Sequence, residues 1–576
     1  MTGASRNRAV PVAEPDPVVV RRPPARRTAD ARPVAAVATR PKAAPRRRPA
    51  PPVPPAPAPA PVAAPAPASS ASSAIGDRGW VMPLLVVMIG SFMAVLDTSI
   101  VNVAIPRLQN EFGASTDQVQ WVATAYTLAL GIITPLTGWL GDRYGLDRVQ
   151  NFALILFVAG SALCGLATSL NILIGFRIFQ AVGGGLLPAV SQAMVYRMVP
   201  REKLGAAMGL YGFGVVVAPA IGPPIGGYLV EYVNWRLIFY INVPIGIAAA
   251  VLSFMLLPRF PKIAGQKFDY LGFGTIAVGL FALLLALSEG ETWHWSSYST
   301  MGLIAIGILS LALFVVVELS VEQPMLDLRV FRSATYTISA ILVAVLSIGL
   351  FAGLFYVPLF LQRGDNLGAF ETGLLLLGPA VVTVIMMPIS GWLYDRIGAR
   401  WPAVIGLAVV AWSSYLMHSM DTSTTRGTFM IWLAIRNLGT GLAFMPIMAG
   451  SISVLPVRLV SRASALNNIV LRVSSALGLA LLTALLTGQQ AQQISSRSAL
   501  IPAVSPGQTQ WQSAQGQTGV LGISNLLGLD VFGSAIADLF LLIAGLTAVG
   551  VLLALLLPQK SRTPAAAGAP AAHAEV

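Results

Sequence analysis

Fourteen apolar stretches of helical length run from Trp80 toward the end of the chain. They lie near 81–105, 120–140, 149–168, 171–192, 204–229, 235–257, 270–288, 300–319, 335–361, 372–392, 402–419, 428–450, 463–487 and 535–557. No other feature narrows the fold so far. About 20 apolar residues in a helix cross a bilayer, and a backbone exposed to lipid must satisfy its own hydrogen bonds. Each stretch is therefore expected to be a transmembrane helix, giving an all-α membrane protein. The composition agrees: 11% of the residues are charged, against about 25% in soluble domains.

The charges set the orientation. With the N-terminus placed in the cytoplasm, sixteen Lys/Arg fall on the cytoplasmic side after the tail, Arg143, Arg197, Arg259, Arg400 and Arg462 among them. Five fall on the other side: Arg107, Arg236, Arg363, Arg426 and Arg497. This is the positive-inside pattern, and a miscounted span would scramble it downstream. Both termini are expected inside, in a cell inner (plasma) membrane.

The net charge of +13 is not a nucleic-acid signal. Residues 1–76 hold 12 Lys/Arg and 3 Asp/Glu, so +9 of the total belongs to one Pro/Ala/Arg-rich tail. Such a segment lacks the apolar groups to offset ordering entropy and is expected to be disordered. It is either solvated or held near anionic lipid. A second disordered tail is expected at 558–576. The lone cysteine, Cys164, allows no intrachain disulfide, and His294, His418 and His573 show no metal spacing. No Gly-x4-Gly-Lys-Ser/Thr run is present, so ATP drive is not built into the chain. Neither metal nor cofactor is expected, and an enzyme would need a catalytic cluster that is absent from the pattern.

The chain repeats itself. Gly138-Trp-Leu-Gly-Asp-Arg-Tyr-Gly145 follows the second stretch, and Gly391-Trp-Leu-Tyr-Asp-Arg-Ile-Gly398 follows the tenth, 253 residues on. Arg177 and Arg436 pair at an offset of 259. Two related six-helix halves are expected, 80–257 and 335–557, with an inserted helix pair, 270–319, between them. Repeated halves around a central site are a transporter architecture. A long Gln/Ser-rich outer connection, 488–534, is expected within the second half, as a tolerated insertion or as the seat of an adaptor protein.

These residues carry a resemblance. Gly138, Asp142, Arg143 and Gly145 resemble motif A of the major facilitator superfamily, with Asp395 and Arg396 in the repeat. Arg177 and Gln180, followed by Gly183 and Gly184, are similar to motif B. Gly209, Gly222, Pro223, Gly226 and Gly227 resemble motif C, the antiporter motif. Leu96-Asp97-Thr98-Ser99 through Pro106 is similar to the first span of the fourteen-helix drug:proton antiporters of the EmrB/QacA type. The sequence departs from the motifs at Leu146-Asp147-Arg148, Ala181 and Ala218. The resemblance implies a proton-coupled exporter of amphipathic, often cationic small molecules, working by alternating access. Its partners would be substrate, protons and membrane lipid. A lipid, siderophore or metabolite exporter on the same fold is the alternative, and a non-transporting scaffold or receptor the remote one.

Asp97 lies about 24 Å along the first span at 1.5 Å per residue. An ionised carboxylate there costs about 2.5–3.5 kcal/mol on the mildest scale, so proton uptake is its expected chemistry. The structural alternative is a carboxylate satisfied by Thr98, Ser99 or Asn102. Arg177 needs an acidic or carbonyl partner; the resemblance implies a part in proton transfer, the alternative being a helix anchor. Arg436 and Arg472 read as structural cations, and Glu289 and Asp538 as hydrated groups near the outer ends. Asp142-Arg143 and Asp395-Arg396 are expected to cap helices and latch the halves together at the cytoplasmic face. The glycines and prolines of 209–227 suit a hinge or close packing.

Overall fold

The computed structural model describes residues 79–262, 265–364, 367–420, 424–498 and 509–559. The tails expected at 1–76 and 558–576 lie outside these residues, save 558–559, as does 499–508. No strand occurs among the described residues. The helices are α1 (Val81–Phe112), α2 (Thr116–Ile133), α3 (Leu136–Tyr144), α4 (Leu146–Gly165), α5 (Leu170–Met198), α6 (Leu204–Tyr228), α7 (Leu237–Tyr240) and α8 (Asn242–Leu256). There follow α9 (Tyr270–Glu289), α10 (Tyr298–Ser320), α11 (Ala334–Gly364), α12 (Ala369–Ile397), α13 (Arg400–His418), α14 (Arg426–Ser453), α15 (Val460–Ser498) and α16 (Thr509–Ala554).

Local chemistry sets several of the starts. Ser115 and Gln118 form a reciprocal capping box at α2. Ser169, Asp269, Ser297 and Thr425 each accept a backbone N–H in the first turn of α5, α9, α10 and α14. The two repeat copies end alike, on Gly145 at φ +95° and Gly398 at φ +82°. This region suits a residue without a Cβ.

Thirteen helical segments among the described residues are long and apolar enough to cross a membrane, and α2 with α3 form a bent pair. Counting that pair as one span, the fourteen expected stretches all recur. The second stretch is not the continuous helix expected. It breaks at Thr134-Pro135 with a bend of 52°, because proline removes a backbone donor and crowds the preceding turn. The 488–534 connection also differs from expectation. α15 carries on to Ser498 and α16 begins at Thr509, so helix occupies 488–498 and 509–534.

The first six spans pack together through α1 against α5, α6 and α8, and α4 against α5 and α8. The last six pack through α13 against α14 and α16, and α11 against α14, α15 and α16. α9 pairs with α10 and rests on α2 and α15. Glu289, expected to be hydrated, is only 6% exposed and interacts with Thr124 of α2. The first and last six spans meet chiefly where α6 runs along α12, with α3 and α5 against α15 beside them.

Candidate functional site

Asp97 is fully buried and its carboxylate is surrounded by donors. Arg177 Nη1 donates to Oδ2 at 2.5 Å, Gln180 Nε2 to Oδ1 at 2.9 Å and Asn242 Nδ2 to Oδ1 at 3.1 Å. The arginine is held as fully. Its Nη1 also reaches Gln180 Oε1 at 2.6 Å, its Nε donates to the Val122 carbonyl at 3.3 Å, and its guanidinium lies 3.7 Å from the centre of the Tyr126 ring. Gln180 in turn donates to Ser161 Oγ at 2.7 Å. Five helices, α1, α2, α4, α5 and α8, therefore converge on one ion pair.

The packing that allows this is visible at Gly160 of α4. A Cβ there would stand 2.5 Å from Gln180 Cα, so only glycine lets α4 approach α5 this closely. Thr98 and Ser99, the local partners considered for Asp97, bond elsewhere: Thr98 to the Ala94 carbonyl and Ser99 to the Pro219 carbonyl. The predicted trio Asp97, Arg177 and Gln180 is thus brought together. Asn242, Ser161 and Tyr126 were missed, although a polar residue inside an apolar span is the signal that could have found them.

The second half lacks this chemistry. Arg436, the repeat partner of Arg177, is 2% exposed and bonds the Gly349 carbonyl. The repeat offsets carry Asp97 onto Leu350–Tyr356, where no carboxylate stands. Among the described residues, a fully buried carboxylate–guanidinium pair of this kind occurs in the first half alone.

The motif A residues gather at the end of the bundle where α1 begins, the basic face of the sequence. Buried Asp142 accepts from Arg197 at 3.1 Å, and Arg462 of the last six spans stands 3.5 Å from its other oxygen. Arg197 also donates to Ser461 Oγ at 2.7 Å. Asp395 accepts the backbone N–H groups of Gly205 and Ala206 at 2.7 and 2.8 Å. It therefore caps α6 in the other half rather than the helix that follows it, and the positive end of α6 favours its charge. Arg143 is exposed and Arg396 lies over the Trp392 ring at 3.9 Å, so neither arginine forms the contact expected of it. Deeper in, Tyr196 donates to the Met448 carbonyl at 2.8 Å and Asn468 to Gln192 at 3.0 Å. The halves are closed against each other at this face.

Hydrogen bonds to charged groups contribute about 1.5–3 kcal/mol each. Asp142→Asn combined with Asp395→Asn is accordingly expected to raise the population open at the basic face about tenfold. Spin labels at Arg201→Cys and Arg458→Cys in a Cys164→Ser background would report it as a longer distance distribution. An unchanged distribution would show that the contacts hold nothing shut.

The motif C residues divide between two neighbours. Cβ atoms at Gly222 and Gly226 would meet Ser99 Oγ at 2.5 Å and Ile100 Cγ1 at 2.9 Å on α1. One at Gly209 would stand 2.7 Å from the Met387 carbonyl on α12. Pro223 lies within α6, and Gly227 faces Phe370 at the far end. There a cavity of about 370 Å3 opens between α6 and α12, lined by Val103, Glu231, Tyr232 and Glu371 among others.

Two bundles are tied at one face, and the first holds the buried Asp97–Arg177 pair. The sequence matches the Major Facilitator Superfamily over residues 87–268 and 270–479. The chain belongs to this superfamily. Among its relatives, the MFS-type transporter YhcA of Bacillus subtilis (strain 168) is 34% identical over 70% of this chain and 76% of its own. The tetracenomycin C resistance and export protein of Streptomyces glaucescens is 32% identical over 72% and 78%. The multidrug resistance protein B homolog of Mycobacterium tuberculosis (strain ATCC 25618 / H37Rv) is 30% identical over 72% and 77%. The fold is similar to that of the proton:xylose symporter XylE, with a TM-score of 0.56 at 12% identity, covering 85% of this chain and 97% of that one. As a major facilitator the protein is a multi-pass membrane transporter with drug-resistance relatives.

Proposed function

We propose that the chain is a proton-coupled exporter of amphipathic small molecules, working by alternating access with its basic face in the cytoplasm. The observation that carries this reading is Asp97: a carboxylate deep in a span, fully buried and neutralised by one guanidinium. Protonation of Asp97 removes half of the pair and leaves Arg177 to its carbonyl, glutamine and ring partners. The first bundle then has two electrostatic states that differ by one proton, which is what coupling needs. In the cycle, Asp97 takes up a proton from the outer side as cargo leaves. It releases that proton to the cytoplasm before cargo binds again, and the ties at Asp142 and Asp395 break to open the inner face. The relatives named for resistance support export rather than uptake.

A narrower reading, export of one specific metabolite, is favoured by the relative named for a single compound, tetracenomycin C. Inverted vesicles energised with a proton gradient test both. Wild type is expected to concentrate members of a panel of amphipathic dyes, and Asp97→Asn to lose at least about 90% of gradient-driven uptake while remaining folded, since a positioned proton-transfer group contributes about 10²–10⁴-fold. Normal pumping by Asp97→Asn would make that residue structural. Gradient-coupled exchange of one metabolite, with every dye ignored, would select the narrower reading.

A further inference from the structure

One face of α15 is turned toward the first half along a single stripe. Ser461 accepts from Arg197, Asn468 donates to Gln192, and Arg472 follows one turn later. These positions are seven and four residues apart, which keeps them on one side of a helix. The Asn468–Gln192 bond belongs to the closed side of the interface, so Arg472 stands at the next level, where that tie ends. It lies about 18 Å from the start of α15 at 1.5 Å per residue, in mid-membrane.

Arg472 is part-exposed, and no described residue meets its guanidinium with a hydrogen bond or a carboxylate. It lies close enough to Tyr126 to interact with it electrostatically. The Tyr126 side chain is buried, stacked on Arg177, and its hydroxyl has no partner. Asp97, Arg177, Arg436 and Arg472 together place one negative and three positive charges deep in the bundle. Asp97 is spent on Arg177, while Asp538 lies 3.6 Å from His418 toward the end of α13. An excess of charge of one sign attracts the opposite charge, and a guanidinium presents a fork matched to a carboxylate, sulfonate or phosphate.

We infer that Arg472 is the binding site for an acidic group on the cargo, with the Tyr126 side of the first half as its opposite wall. The preferred substrate class is thus an amphipathic organic anion, where the resemblance led us to expect a cation. Calling this molecule cargo rests on the exporter reading; the binding does not. Because Arg472 and Asp97 belong to different halves, anion and proton are coupled through the equilibrium between the two faces, without competing for one group.

Fluorescein and rhodamine 6G share one ring scaffold and differ in charge, so they separate this site from general hydrophobic binding. With purified full-length protein in lipid nanodiscs, fluorescence anisotropy is expected to show tighter binding of fluorescein than of rhodamine 6G. Arg472→Gln should weaken fluorescein about tenfold and leave rhodamine 6G unchanged, and Arg472→Lys should recover part of the loss. If Arg472→Gln does not fold, the charge preference of the wild type decides. Tighter binding of rhodamine 6G, equal losses for both dyes in Arg472→Gln, or no saturable fluorescein binding would each overturn the inference. Fluorescein binding that depends on Arg472, without gradient-driven transport of fluorescein, of any other dye or of a metabolite in inverted vesicles, would keep the anion site and remove the exporter reading.

Discussion

Arg177→Ala is expected to lower stability by about 3–5 kcal/mol, the usual cost of stranding one partner of a buried ion pair. The stranded group is Asp97, fully buried, with only Gln180 and Asn242 left to solvate it. The loss should appear as a fall in the thermal or denaturant midpoint in detergent. Arg177→Lys should recover little of it. One guanidinium here bridges Asp97 and Gln180, donates to the Val122 carbonyl and stacks on Tyr126, and a point ammonium does not reproduce that fork. Removing both charges, Asp97→Leu with Arg177→Met, should be far less destabilising than Arg177→Ala alone, because no uncompensated charge remains. Losses that simply add in this cycle would show that the pair is not energetically coupled.

The second large effect is expected at Gly391, where the backbones of α6 and α12 touch. A Cβ on Gly391 would stand 2.0 Å from the Gly205 carbonyl oxygen, and one on Gly205 would stand 2.2 Å from the Gly391 oxygen and 2.6 Å from Asp395 Oδ1. No flexible side chain is available to move aside. Gly391→Ala should therefore force the two helices apart at the basic face, an overpacking cost of about 1–3 kcal/mol. That cost falls only on the closed arrangement, so it should shift the population toward the open one and reduce transport about tenfold or more. Gly378→Ala on the same helix is the control, since a Cβ there meets nothing within 4 Å. Equal transport by the two variants would mean that the contact at Gly391 does not govern the cycle.

Much of this protein is legible in its sequence. Fourteen apolar stretches, the repeat of Gly138–Gly145 at Gly391–Gly398 and the deep charges at Asp97 and Arg177 need no tertiary knowledge. Each follows from local hydrophobicity or from the cost of a charge in lipid. The bend at Thr134-Pro135 was also open to reading, because proline in mid-span carries its own geometric consequence.

Partners were another matter. Asp142 meets Arg197 and Arg462, rather than the Arg143 beside it, and Asp395 caps α6 from the opposite half. Asn242 reaches Asp97 from 145 residues away. Arg472 reads from sequence as one more buried cation, yet it is set apart from Arg436 by having no acceptor for its guanidinium among the described residues. Which residues charge a span was fixed along the chain; which charges neutralise each other, and which one is left facing the other half, was decided only when the helices packed. Hydrophobicity acts within a single span, whereas the Asp97–Arg177 pair exists only between two.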